Sequence, residues 1–175
     1  MNTPEFWNEK WKNEQWANRE SGNARECWEA WKDIESARLY AEGAKKNAYQ
    51  GERFSYLASF CHQNSRVLDI GAGPGTFAVP LSPLVSHITA VEPAHGMGVV
   101  FDEYIQEAGV QNIDIIPKRW DDVKIATDID GSYDLVFCSF AFGMLDLLDS
   151  IQKMISVAEK TIVLYWHAGD QAWDV

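Results

Sequence analysis

From Arg66 onward, apolar runs of four to six residues alternate with longer stretches whose apolar positions recur at helical spacing. The runs Arg66–Ile70, His87–Val91, Ile113–Ile116, Tyr133–Cys138 and Thr161–Trp166 read as strands, and residues 75–85, 94–107 and 147–157 read as the helices between them. Tyr133–Cys138 is almost continuously apolar, which predicts a strand covered on both faces. Pro80 and Pro83 fall inside the first helical stretch, so that helix should be short or distorted. Strands alternating with helices predict right-handed crossovers and a mostly parallel α/β sheet with helices on both faces. In such sheets ligands bind at the carboxyl ends of the strands, near the point where strand order reverses.

Residues 3–63 have a different texture, helical and rich in tryptophan. Thr3-Pro4-Glu5 has a capping hydroxyl, a proline suited to the first helical position and an acid near the positive end. Trp7 and Trp11 share a face, whereas Trp16 lies about half a turn away. The helix therefore breaks near residue 13, or its two sides meet different surroundings. Ser21-Gly22-Asn23 reads as a turn, 24–46 as a second helix with Trp28, Trp31, Ile34 and Ala37 or Arg38 on one stripe, and 52–62 as a third. The expected division is a Trp-rich helical extension or lid over residues 1–50 and an α/β unit over 51–175.

The formal charge of −11 disfavours a phosphate backbone as partner and suits a small or cationic substrate better. Cys27, Cys61 and Cys138 are too widely spaced for a zinc pattern, so no metal is expected. Their odd number and the absence of a basic, then apolar, amino-terminal run point to reduced thiols in the cytoplasm. No apolar stretch approaches the ~20 residues of a membrane helix.

The most informative string is Val67-Leu-Asp-Ile-Gly71-Ala-Gly73-Pro-Gly75-Thr76, a strand feeding a glycine loop that opens a helix. Glycine permits unusual backbone angles and leaves no side chain between chain and ligand, and amides at a helix start favour an anionic group. The G-x-G-x-G spacing departs from the G-x-G-x-x-G of dinucleotide sites, and no G-K-[ST] of a phosphate loop follows. After the second strand, Glu92 leads Pro93-Ala-His-Gly-Met97; a carboxylate there can accept two hydrogen bonds from a ribose diol. His95 reads as a loop residue. Pro117-Lys-Arg-Trp120-Asp121 follows the third strand, and Ser139-Phe140-Ala-Phe-Gly-Met144-Leu-Asp146 follows the fourth.

These strings together resemble the class I S-adenosylmethionine-dependent methyltransferases over about residues 52–166, with a Rossmann-like fold. The resemblance implies that Asp69, Gly71, Ala72, Gly73 and Gly75 wrap the methionine part of the cofactor. It implies that Glu92 and Pro93 meet the ribose, and that Met97, Trp120 and Asp121 lie near the adenine, with Trp120 covering its face. Ser139 and Phe140 would border the reactive sulfonium. Arg119 stands where the family usually has an acid, so Asp121 could replace it. Asp134, at the start of its strand, should be structural.

The implied activity is methyl transfer to a small molecule by in-line displacement; a non-catalytic S-adenosylmethionine-binding protein or interaction module shares the same signature. No Asn-Pro-Pro-Tyr or Asp-Pro-Pro-Tyr follows the fourth strand, which argues against the amino-methylating enzymes that use it. On the acceptor side, His167 could take a proton. Trp7, Trp11, Trp16, Trp28, Trp31 and Tyr40 could line an apolar or cation-binding pocket or simply anchor the helices. Only nine residues follow Trp166, too few for the family's last two strands. The sheet should therefore be shortened, with an exposed fifth-strand edge open to homodimerisation.

Overall fold

Five strands form where the apolar runs predicted them, and each points the same way. The structure, a computed structural model, describes residues 3–20, 27–46 and 51–166. The strands are β1 (Arg66–Ile70), β2 (His87–Val91), β3 (Ile113–Ile116), β4 (Tyr133–Ser139) and β5 (Ala158–Tyr165). They form one parallel sheet in the order β3-β2-β1-β4-β5. Alternation along the strands sends Val67, Ile88, Leu135 and Phe137 to one face and Leu68, Ile70, Val136 and Cys138 to the other. An irregularity in the pairing between Tyr133 and Leu135 lets Tyr133 join the second face, where its hydroxyl donates to Thr89 Oγ1 (2.9 Å).

Seven α-helices are described: α1 (Pro4–Glu20), α2 (Ile34–Lys46), α3 (Gly51–Ala58), α4 (Ala78–Leu81), α5 (His95–Ala108), α6 (Ile125–Asp128) and α7 (Leu147–Val157). Helices α3, α4 and α5 contribute to the core on the first face, and α7 to that on the second. The prolines act as expected: α4 has four residues and passes into a 3₁₀ turn, Ser82–Leu84. Strand β5 starts three residues earlier than its apolar run suggests, and the short α6 had no clear sequence signal.

The amino-terminal region differs more. Helix α1 runs unbroken because Trp7 and Trp16 are both about half exposed and need no common buried face. Its inward positions are Asn8, Trp11, Lys12 and Gln15. The expected 24–46 helix is instead a 3₁₀ turn, Cys27–Trp31, followed by α2. Asp33 makes that break: its Oδ2 accepts from Ser36 N–H (2.8 Å) and Ser36 Oγ (2.7 Å), capping a new helix start. Ser21-Gly22-Asn23 and His167 lie outside the described residues.

Helices α1 and α2 dock on different parts of the α/β unit. Trp11 Nε1 donates to the Met144 carbonyl (2.8 Å), Asn8 Nδ2 to Asp146 Oδ1 (2.9 Å), and Lys12 Nζ lies 2.7 Å from Asp146 Oδ2, all at the start of α7. Helix α2 instead packs Ile34, Ala37 and Ala41 against Ala94, Met97 and Val100 at the start of α5. Gly96 allows this approach: a Cβ there would lie 2.6 Å from the Trp31 carbonyl oxygen and 2.7 Å from that of Asp33.

Candidate functional site

Strand β1 connects onward to β2 on one side and pairs with β4 on the other, so the direction of winding reverses between β1 and β4. At the carboxyl ends there, Asp69, Gly71, Ala72, Gly73, Pro74, Thr76, Phe77, Ser139 and, from α2, Tyr40 line one crevice. Asp69, Gly71, Ala72, Gly73 and Ser139 were expected here; Thr76 closed the glycine string without an assigned role, Phe77 was not singled out, and Gly75 does not line the crevice. Among the described residues no helix is long and apolar enough to cross a membrane, and no group of three or more His, Cys, Asp or Glu could hold a metal.

The glycines hold the loop in a shape other residues resist. Gly71, Gly73 and Gly75 have φ of 72°, 56° and 77°. A Cβ on Gly71 would sit 2.2 Å from Ala141 Cβ, and one on Gly75 2.3 Å from the Phe101 ring, whereas one on Gly73 would meet nothing within 4 Å. Gly71 and Gly75 thus permit packing, and Gly73 leaves open space.

The loop's amides, expected to be open to an anionic group, have acceptors within the protein. Gly71 and Ala72 N–H both donate to the Val91 carbonyl (2.8 and 3.2 Å), Gly75 N–H to the Ala72 carbonyl (3.1 Å), and Gly73 N–H to Glu92 Oε2 (2.8 Å). Pro74 has no N–H to offer. Glu92 also accepts from Ala94 N–H through Oε1 (2.7 Å), so its carboxylate ties the loop to the start of α5. Burial raises its pKa, opposed by those two amide hydrogen bonds.

Asp69 is 2% exposed, and its Oδ2 has no hydrogen-bond partner. Burial first, and the nearby Glu92 charge second, push its pKa well above the ordinary carboxylate range. Ser139 Oγ is also buried without a partner. Next to it, Phe140 has φ 55°, the one positive value outside glycine among the described residues, and its N–H donates to the Tyr165 carbonyl (3.0 Å). The Arg53 guanidinium carbon lies 5.2 Å from the Phe140 ring centre.

The expected adenine side is rearranged. Trp120 is not a cover for a ring: it is 3% exposed within the second-face core, its Nε1 donating to the Ser150 carbonyl (3.1 Å). Met97 is buried among the side chains that join α2 to α5. Asp121 lies in the 3₁₀ turn Trp120–Asp122 after β3, with Arg119 Nη2 3.7 Å from Oδ2 and Ser150 Oγ 3.4 Å from Oδ1. Pro93 is half-buried beside Glu92. At the opposite end of β4, Asp134 accepts from Arg66 N–H (2.9 Å) and pairs with Lys160, the structural role its position implied.

A family model described as a methyltransferase domain matches residues 67–161. The chain belongs to that family. It is 36% identical over 102 residues to an uncharacterised protein of Haemophilus influenzae, a match covering 56% of this chain and 35% of that one. It is 33% identical over 81 residues to the uncharacterised methyltransferase YcgJ of Bacillus subtilis, covering 46% and 31%. These matches span about a third of each relative's length. The fold resembles magnesium protoporphyrin IX methyltransferase from Synechocystis with bound S-adenosylmethionine, with a TM-score of 0.55 and 16% identity over 71% of this chain and 62% of that one.

The cofactor of this family is S-adenosylmethionine, and the crevice has the features such a molecule needs. Two buried polar atoms, Asp69 Oδ2 and Ser139 Oγ, lack partners, and the Gly73 position opens onto unfilled space.

Proposed function

We propose that this domain transfers a methyl group from S-adenosylmethionine to a small-molecule acceptor by in-line displacement. Asp69 carries the reading. A buried carboxylate with a free oxygen, beside a loop whose amides point to the protein, is a site for a cation. The donor's amino group is such a cation, and set against Oδ2 it would offset the cost of burying the charge.

Each remaining residue has a role consistent with its place. Glu92 uses two acceptor positions on main-chain amides, and an ionised carboxylate has about four, which leaves capacity for a ribose diol. Gly73 gives the donor's tail room, and Ser139 and Phe140 border its reactive end. Asp121 and the main chain at Trp120 are the candidates beside the adenine. The donor supplies an activated methyl group; the protein orients the partners and excludes water. His167 is the candidate to accept a proton from the acceptor. The charge of −11 supports a neutral or cationic small molecule over a polyphosphate.

Self-association through β5 is part of the proposal. Among the described residues this eight-residue strand pairs only with β4, and Leu164 on it is 41% exposed. A monomer by sedimentation at high concentration overturns that element alone.

Calorimetric titration with S-adenosylhomocysteine, followed by an extract screen with methyl-labelled donor, tests the main reading. Binding with label in a small-molecule fraction is expected. Binding with no labelled product overturns transfer and leaves a cofactor-binding protein; failure to bind overturns the assignment of the crevice.

A further inference from the structure

Among the described residues, Tyr40 is the one contribution of the amino-terminal helices to the crevice that holds Asp69 and the glycine loop. Its position is set by the docking of α2. Ala37, fully buried, packs on the start of α5 with Ile34 and Ala41 beside it. Arg38, two residues before Tyr40, makes a two-pronged pair with Glu103 of α5, with Nε 3.3 Å from Oε2. The Trp31 ring lies 5.0 Å from the Tyr40 ring, tilted by 54°, and supports one side of it. Tyr40 is 39% exposed. An aromatic residue on a docked helix is thus held at the mouth of the donor crevice.

The crevice offers different chemistry to the two cations of the donor. An ammonium donates hydrogen bonds and suits the Asp69 carboxylate. A sulfonium has three carbon substituents and no hydrogen to donate, so it is recognised through charge, for which the negative face of an aromatic ring is suited. We propose that Tyr40 presents its ring to the sulfonium, so that α2 completes the donor site and selects the charged donor over its neutral thioether product. The proposal rests on the donor assignment above. Asp69 and Glu92 address the amino group and the ribose, which donor and product share, so they do not create this preference. Weakened hold on the neutral product favours its release after transfer.

The test is the ratio of affinities of the full chain for S-adenosylmethionine and S-adenosylhomocysteine, each measured by calorimetry. Tyr40→Leu keeps apolar bulk without a π face. It should lower the ratio about two- to thirty-fold, the span of cation–π interactions from exposed to desolvated sites, with S-adenosylhomocysteine binding largely retained. Tyr40→Phe and Tyr40→Trp keep a π face and should preserve or raise the ratio. An unchanged ratio in Tyr40→Leu, or a lowered ratio in either aromatic variant, overturns the proposal. Should Tyr40→Leu fail to fold, Tyr40→Met, also apolar and without a π face, takes its place: the same fall in the ratio is expected, and an unchanged ratio overturns the proposal. A parent chain that binds neither ligand defeats the donor assignment itself, a result distinct from binding with a ratio that does not depend on residue 40.

Discussion

Asp69 shows how one residue can be costly for the fold and useful for binding. Its carboxylate is buried with one oxygen unpartnered, and burial raises its pKa. A carboxyl with a raised folded pKa contributes stability below its unfolded value near 3.8, and that contribution is lost as pH rises through the folded value. Asp69→Asn should therefore be more stable than the parent at neutral pH, by roughly 1–3 kcal/mol, the scale of an unsatisfied buried acceptor. The difference should shrink as pH falls toward the ordinary carboxylate range, and the variant should lose S-adenosylhomocysteine binding; paired urea unfolding and calorimetry check both. Gly73 tests the same crevice by filling it. At Gly73 a Cβ meets nothing within 4 Å, but Gly73→Val must hold a positive φ, at a cost of about 1–2 kcal/mol. It should still fold while losing the rise in Tm that S-adenosylhomocysteine produces in the parent.

At the level of elements, the informative contacts are those that seat α1 and α2. Asp146 joins two of them: its Oδ1 accepts from Asp149 N–H (3.0 Å), capping α7, and from Asn8 Nδ2 (2.9 Å), while Lys12 approaches its Oδ2. The hydrogen bond from Lys12 is the largest of several effects that hold its pKa down at about 2. Its contribution is present above the unfolded value near 3.8 and lost as pH falls through about 2. Asp146→Ala removes the cap, for a loss of about 1 kcal/mol; the half-exposed ion pair adds little. Hydrogen exchange should show faster opening of residues 4–20 with the sheet unaffected. Gly96→Ala probes the other seat. The new Cβ would press on main-chain oxygens of Trp31 and Asp33, which can yield only by backbone movement. A destabilisation of about 1–3 kcal/mol is expected, with exchange increased in α2.

Helices from one amino-terminal region reach both faces of the sheet. Helix α1 rests on α7, which packs on the second face, and α2 rests on α5, which packs on the first. On the proposed reading, cofactor binding beside Asp69 would be felt, through Glu92, at the start of α5 on which α2 sits. An ammonium beside Asp69 lowers its pKa, so S-adenosylhomocysteine binding should release a proton at pH values where the free protein holds one, and affinity should rise with pH over that window. Calorimetry in buffers of different ionisation enthalpy should show that release in the parent and its loss in Asp69→Asn.

The amino-acid sequence alone determined the five strands, the parallel α/β class and the distorted α4, because apolar periodicity and proline act through local geometry. It also placed Asp69, the glycine loop and Glu92 at the carboxyl ends of their strands, since strand-end position follows from topology. Only tertiary structure decided which groups are free to act. Loop amides looked available until Val91 and Glu92 were seen to accept from them, and Trp120 looked like a platform until Ser150 and the second-face core enclosed it. Tyr40 was one of several aromatic residues in the sequence; the docking of α2 on α5, with the Trp31 and Asp33 carbonyls just before α2 close over Gly96, brings it to the crevice. Hydrogen-bond partners and helix seats are set by residues distant along the chain, and local pattern carries no record of them.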